Sequence, residues 1–391
     1  MSTVIALALA IISVISVSSA NVVKFTKITL WSEALELAKA SGKPIFLDAY
    51  TDWCGWCKVM DRETFSNAKV AEVMNASFVC VKMEMETGEG IDVAMKYRIA
   101  GFPMFLVFTP DGLPTYRVTG YQPPEAWLVT LADMKDPTKR INAPGITRDL
   151  KLPWPEWHRP SFVKGSQRKS PDTSVVRSWF ASVPEKERFD EVAWSVMLRY
   201  DLGEKWDQWA LANESEFASR YGDETGLLHD RISQKYFARA VAAKDLAMLD
   251  KAASIANTSS PAEAEHLRLR YAAMYNQRLS DWAGVGGVVR RMSEKANYAE
   301  YVNDINEFSW NIYEKSSDTS AIENATWAMG TVTRDPNVDW AFVDTYAALL
   351  FRSGRYDDAS VAAERAIELG KAKGADVKET EALLVKIKAA K

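Results

Sequence analysis

The sequence predicts an α/β domain followed by an all-α helical-repeat domain, and three observations carry that prediction. A short apolar run, Pro44 to Tyr50, has the length and composition of a buried strand and feeds directly into Trp53-Cys54-Gly55-Trp56-Cys57-Lys58. A second stretch, Ser77 to Met83, alternates like another strand of the same sheet. From Ser174 onward apolar residues recur three and four apart, which is helical spacing. A chain of 391 residues is long enough for two or three domains. We divide it into an export segment at 1–20, an α/β domain at 22–135, a proline-rich basic linker at 136–175 and a helical domain at 176–391.

The N-terminus sets the expected compartment. Val4 to Val17 is an apolar stretch, and Ser18-Ser19-Ala20 puts small residues where a signal peptidase would cut, before Asn21. The run is shorter than the ~20 residues that span a bilayer, so no stable membrane span is expected. No Lys or Arg precedes Lys24, and an uncleaved membrane anchor is the alternative reading. No cysteine stands at the cleavage site, which gives no support to a lipid anchor. Export to an oxidising compartment of a chain with three cysteines makes a closely spaced pair a catalytic dithiol that a partner must supply with electrons or oxidant.

That pair is Cys54 and Cys57. At the N-terminal end of a helix, unpaired backbone N–H groups and the helix dipole favour a Cys54 thiolate, which becomes the attacking sulfur. Cys57, one turn later, is close enough to resolve a mixed disulfide while its place inside the helix shields it from substrate. A tetrahedral zinc site needs four ligands, and the chain offers besides this pair only Cys80 and three histidines, His158, His229 and His266, all distant in sequence. We therefore expect no metal. Cys80, among Phe78, Val79 and Val81, reads as a small buried apolar side chain.

The stretch Phe46 to Lys58 resembles the active-site segment of the thioredoxin superfamily, and most of all the thioredoxin-like domains of bacterial periplasmic thiol-disulfide proteins. Ala94 to Phe108 resembles the second signature of that family, its cis-proline loop. The resemblance implies a central mixed sheet flanked by helices and a cis bond before Pro103. It implies that Pro103 faces the dithiol, that the Phe102 backbone pairs with an extended substrate strand, and that Trp53 and Trp56 border the same substrate surface. Asp48 matches the family's buried acid beneath the disulfide, which accepts the proton of the resolving thiol. Its place in an apolar strand points the same way, because a buried carboxylate is costly unless protonated or partnered. Lys82 is the candidate partner, with a solvent-facing strand lysine as the alternative, since either face fits the alternation. Gly120 matches a family glycine where a side chain would obstruct the approach of another backbone. Trp56 replaces the family's usual proline or histidine, Met104 its usual threonine, and Tyr50 a common tryptophan. Without a histidine between the cysteines, the site lacks one feature of the strong oxidants.

Between the two domains, Pro144, Pro153, Pro155, Pro160 and Pro171 alternate with basic residues that include Arg148, Arg159, Lys164 and Arg168. Trp154, Trp157 and Phe162 indicate that this linker packs along a domain surface. The net charge of −4 and the export segment argue against nucleic acid as a partner. Asp344 to Ile367 resembles a tetratricopeptide repeat, with Ala347, Gly354, Ala359, Ala363 and Ala366 letting two helices approach and Tyr346, Leu350 and Tyr356 filling the seam. A single repeat cannot bury its own faces, so the rest of the tail is expected to be divergent hairpins. Trp179, Trp194, Trp206, Trp209 and Trp282 read as helical core.

The resulting expectation is a periplasmic thiol-disulfide oxidoreductase acting on protein cysteines, reductase or isomerase rather than strong oxidase, that needs no organic cofactor. Its partners are protein substrates, an unidentified electron-exchange partner and a protein bound by the helical tail. The alternative is an adaptor, redox-gated or non-catalytic, whose tail is the functional element.

Overall fold

The computed structural model describes residues 22–256 and 260–391; the export segment expected over 1–20 lies outside them. Contacts divide the chain into two compact units, Met1–Thr225 and Gly226–Lys391.

The first unit is built on a five-stranded mixed sheet. In chain order its elements are β1 (Thr26–Lys27), α1 (Trp31–Ser41), β2 (Ile45–Tyr50), α2 (Gly55–Glu63), α3 (Ala68–Ser77), β3 (Val79–Glu84), α4 (Gly90–Lys96), β4 (Met104–Phe108), β5 (Pro114–Thr119) and α5 (Pro124–Lys135). The strand order is β1-β3-β2-β4-β5; β1, β3 and β2 run parallel, and β4 pairs antiparallel with β2 and β5. This is the thioredoxin-like arrangement the sequence predicts. Local chemistry sets the boundaries. The Glu33 carboxylate accepts the Thr29 and Leu30 backbone N–H groups at the start of α1, and Gly42 ends that helix at φ 69°. Asn67 caps α3 by accepting from the Lys69 and Val70 N–H groups.

β2 lies in the middle of the sheet, so both of its faces are covered and its apolar run is not alternating. On one face Phe46, Phe65, Phe105 and Trp127 pack edge to face and stacked within about 6 Å of one another. On the other, Trp31, Tyr97 and Phe108 form a smaller aromatic set.

Residues 136–225 fold onto this sheet domain and complete the first unit. They contribute α6 (Thr173–Ser182), α7 (Glu191–Arg199), α8 (Glu204–Ala212) and α9 (Glu214–Tyr221). The proline-rich stretch is ordered against the surface: the Ile141 N–H donates to the Thr115 carbonyl, and Arg148 and Arg159 pair with Asp111 and Asp92. Two ion pairs lie inside. Lys96, wholly buried on α4, reaches Glu191 of α7 at 2.9 Å, and Glu191 also accepts the Thr147 N–H and hydroxyl. Glu224 pairs with Arg98 and, at 3.5 Å, with Arg117 of β5. Trp194 is buried, stacked on Tyr221 at 4.7 Å. Trp179, Trp206 and Trp209 are half-buried, packed around Phe180.

The second unit is all helix: α10 (Thr225–Ala243), α11 (Leu246–Ile255), α12 (Pro261–Arg278), α13 (Trp282–Ser293), α14 (Val302–Lys315), α15 (Thr319–Val332), α16 (Trp340–Arg352), α17 (Tyr356–Ala372) and α18 (Lys378–Ala390). Each helix from α12 packs on the next, while α13 also meets α15 and α14 meets α16, a repeat-like stacking. Small residues set the spacing. A side chain at Gly286 would lie 2.7 Å from the Ala321 Cα, and Ala347, Ala359, Ala363 and Ala366 are fully buried between α16 and α17. Among the described residues no helix is long and apolar enough to cross a membrane.

The Lys96–Glu191 pair yields a first prediction. Glu191→Ala strands a wholly buried ammonium and should cost the first unit about 3–5 kcal/mol. Adding Lys96→Met should restore most of that loss, as read by urea unfolding followed by circular dichroism.

Candidate active site

β2 ends at Tyr50 and delivers the chain through Thr51 and Asp52 to Cys54, which occupies the N-cap of α2. The Cys57 N–H donates to Cys54 Sγ at 3.0 Å, using one of the donors that a first helical turn leaves unpaired. The two cysteines form a disulfide with Cα atoms 5.4 Å apart. Once that bond is opened, the N–H and the helix dipole favour negative charge on Cys54. Both cysteines are covered, Cys54 being 3% exposed, while the flanking Trp53 and Trp56 are 59% and 60% exposed.

The Phe102–Pro103 bond that opens β4 is cis. The Phe102 ring meets Trp53 edge to face at 5.9 Å, and Trp56 stacks on Tyr121 at 5.6 Å, with the Tyr121 hydroxyl donating to Glu63. Pro103 accepts the Gly120 N–H at 2.9 Å. Gly120 has a conformational requirement besides the room it was expected to leave for another backbone. A Cβ there would meet nothing within 4 Å, but φ is 88°, a conformation that favours glycine.

Register decides how the buried acid is paired. Asp48 of β2 and Lys82 of β3 are direct neighbours across a parallel ladder and share a face, so Lys82 Nζ lies 2.9 Å from Asp48 Oδ2. Lys82 points inward and also bonds Asp61 of α2. Asp48 Oδ1 has no hydrogen-bond partner among the described residues. Burial raises the Asp48 carboxyl to about 6, against the pull of Lys82 and with help from Asp61. Burial also works against the Lys82 charge, but Asp48 and Asp61 together outweigh it and raise that pKa. A cavity of about 360 Å³ lined by Thr51, Cys57, Lys58, Asp61 and Lys82 adjoins this cluster.

Cys80 is buried, with a thiol pushed up to about 12 by burial. His158 is buried against Trp154 and Phe162, and burial lowers it to about 3. His266 bonds Asp304 in the second unit. Among the described residues no three His, Cys, Asp or Glu side chains gather as a metal site.

The sequence reading missed two acids at the site. Asp61 lies four residues after Cys57, the helical spacing that would have placed both on one face of α2. Glu86, buried after β3, accepts the Trp53 indole N–H at 2.8 Å and has no local signal.

Residues 16–142 match a family model described as Thioredox_DsbH, a protein of unknown function, DUF255. Spermatogenesis-associated protein 20 of Mus musculus is 36% identical over 99 residues, 24% of this chain and 12% of that protein. The thiol:disulfide interchange protein DsbD of Escherichia coli strain K12 is 34% identical over 114 residues, 28% of this chain and 20% of that one. The chain thus spans about an eighth to a fifth of the length of these curated relatives. A thioredoxin from Thermus thermophilus is similar in structure, at 26% identity and a TM-score of 0.27, over 29% of this chain and 87% of its own.

The Asp48 carboxyl makes stability depend on pH. Its folded pKa of about 6 lies above the unfolded 3.8, so its contribution is full below pH 3.8 and is lost as pH rises through 6. The loss amounts to about 3 kcal/mol. Asp48→Asn should therefore resist urea better than the native chain at pH 8, by up to that amount, with the gap closing towards pH 4. A gap that ignores pH would refute this.

Proposed function

We infer that this chain, whose first unit carries a thioredoxin-superfamily domain, is a protein thiol-disulfide oxidoreductase. The observation that supports this best is the Cys54–Cys57 disulfide at the N-cap of α2, in a sheet domain that also holds a cis Phe102–Pro103 bond, whose Phe102 ring meets Trp53, and a buried acid, Asp48, with a pKa of about 6. The relatives include a protein whose name is thiol:disulfide interchange protein.

In the reducing direction, the Cys54 thiolate attacks one sulfur of a substrate disulfide, forms a mixed disulfide and expels the other sulfur as a thiolate. Cys57 then loses its proton to Asp48 and attacks Cys54, which closes the internal disulfide and releases the second substrate thiolate. Two electrons pass from the dithiol to the substrate, and a dithiol partner must return them. Lys82 holds Asp48 in place and keeps its own charge, so the carboxyl is the group that exchanges protons near pH 6. Phe102 and Pro103 align an extended substrate strand by main-chain pairing, and Trp53 and Trp56 flank it. The site works as reductase or isomerase in the bacterial periplasm, and the second unit, read as tetratricopeptide-like, recruits protein partners.

Cys54→Ser is expected to abolish the reduction of insulin by dithiothreitol under the action of the full chain. Cys57→Ser should accumulate mixed disulfides visible on non-reducing gels; turnover that survives Cys54→Ser would sink the proposal. Equilibration in graded thiol-disulfide buffers fixes the direction: a potential near about −270 mV marks a reductase, and one above about −180 mV an isomerase or oxidase.

A further inference from the structure

The segment that follows the sheet domain returns to the dithiol and takes hold of the two residues before it. Its short helical turn at Gly165–Gln167 is bracketed by Lys164 and Arg168. Lys164 Nζ lies 2.8 Å from Asp52 Oδ2, and Arg168 is ion-paired with Glu86 Oε1. The other Glu86 oxygen accepts the Trp53 indole N–H. Asp52 and Trp53 are thus both tied, one directly to Lys164, 112 positions later, and one through Glu86 to Arg168, 82 positions after that acid.

The holding segment is itself anchored. The Lys169 N–H donates to the Pro160 carbonyl at 2.9 Å, and the Ser161 hydroxyl donates to the Lys169 carbonyl. At its base His158 and Phe162 are buried, Tyr200 bonds both His158 and Ser161, and the Arg199 guanidinium sits 3.9 Å over the Phe162 ring. Arg159 pins the turn that carries Glu86, through Asp92 and the Gly88 carbonyl.

We propose that Arg168 is a positioning residue for disulfide exchange: through buried Glu86 it fixes the Trp53 indole beside Cys54, and so sets how well a protein substrate engages the site. This rests on the oxidoreductase reading. An indole as exposed as Trp53 would otherwise sample several rotamers, and a substrate would have to order it on binding. Glu86 prevents that only while it stays buried, which a carboxylate tolerates when both oxygens are bonded and its charge is paired. Without Arg168 the carboxylate keeps one neutral donor, turns towards water and releases the ring. The exposed Lys164–Asp52 pair contributes less, as solvent screens it.

The test compares a protein disulfide with a small one, using the full chain and dithiothreitol as reductant. Arg168→Gln should raise the KM for insulin about five-fold with kcat within about two-fold, and should lower the ratio of insulin to bis(2-hydroxyethyl) disulfide kcat/KM by a similar factor. Arg168→Lys, which restores the charge, should recover half or more of the loss, and Lys169→Gln should match the native chain. An unchanged insulin KM in Arg168→Gln, or an equal loss on both disulfides, overturns the proposal. A native chain inert towards both would remove the oxidoreductase reading itself, and this inference with it.

Discussion

The parallel register of β2 against β3 is the constraint on which the rest of the site depends. It sets Asp48 opposite Lys82 in the covered middle of the sheet, where neither group could keep a charge alone. The same strand runs on into Cys54, so the acid and the disulfide are fixed relative to one another by seven residues of backbone. A one-residue slip would send Asp48 to the opposite face and break the pair. Asp61 adds a second anion to a single lysine, and the outcome is asymmetric. Lys82 holds its proton more firmly, while Asp48 is left with a pKa of about 6. Burial thus brings the carboxyl, and not the lysine, towards neutral pH.

Residues 136–225 supply the opposing charges for cations that the sheet domain buries. Lys96, Arg98 and Arg117 all originate in the sheet domain, yet their acids, Glu191 and Glu224, come from beyond it. Burying a cation without its partner is strongly unfavourable, so these pairs couple the folding of the two parts. The surface pairs of Arg148 and Arg159 do less for stability, because water screens them; they fix the path of the chain. The basic residues along that path are distributed to meet Asp52, Glu86, Asp92 and Asp111.

What the sequence revealed follows from the range of each interaction. The Cys54–Cys57 pair, the strand that leads to it and the helical hairpin at Asp344 to Ile367 depend on neighbours within a few turns, and their spacing can be read directly. Lys82 was ambiguous because alternation gives two faces without saying which one is inside; only the sheet order resolves that. Glu86 and Arg168 had no signal at all. One is an acid in a turn and the other a base among many, and their contact spans 82 positions. Gly120 shows a subtler case, since its place was legible but its positive φ was not.

Access to the sulfur is governed by the two rings that flank it. Cys54 is nearly covered while the indoles on either side stand in solvent, so a rigid convex surface would meet the rings before the disulfide. The main-chain pairing proposed at Phe102 demands an extended segment, which reaches past exposed rings better than such a surface does. The two rings are supported in unlike ways. Trp56 leans on Tyr121, whose hydroxyl is held by Glu63, all inside the sheet domain. Trp53 is held by Glu86, whose second oxygen is bonded by a residue outside it. One of the two indoles is therefore supported wholly within the sheet domain, and the other depends on the segment that follows it.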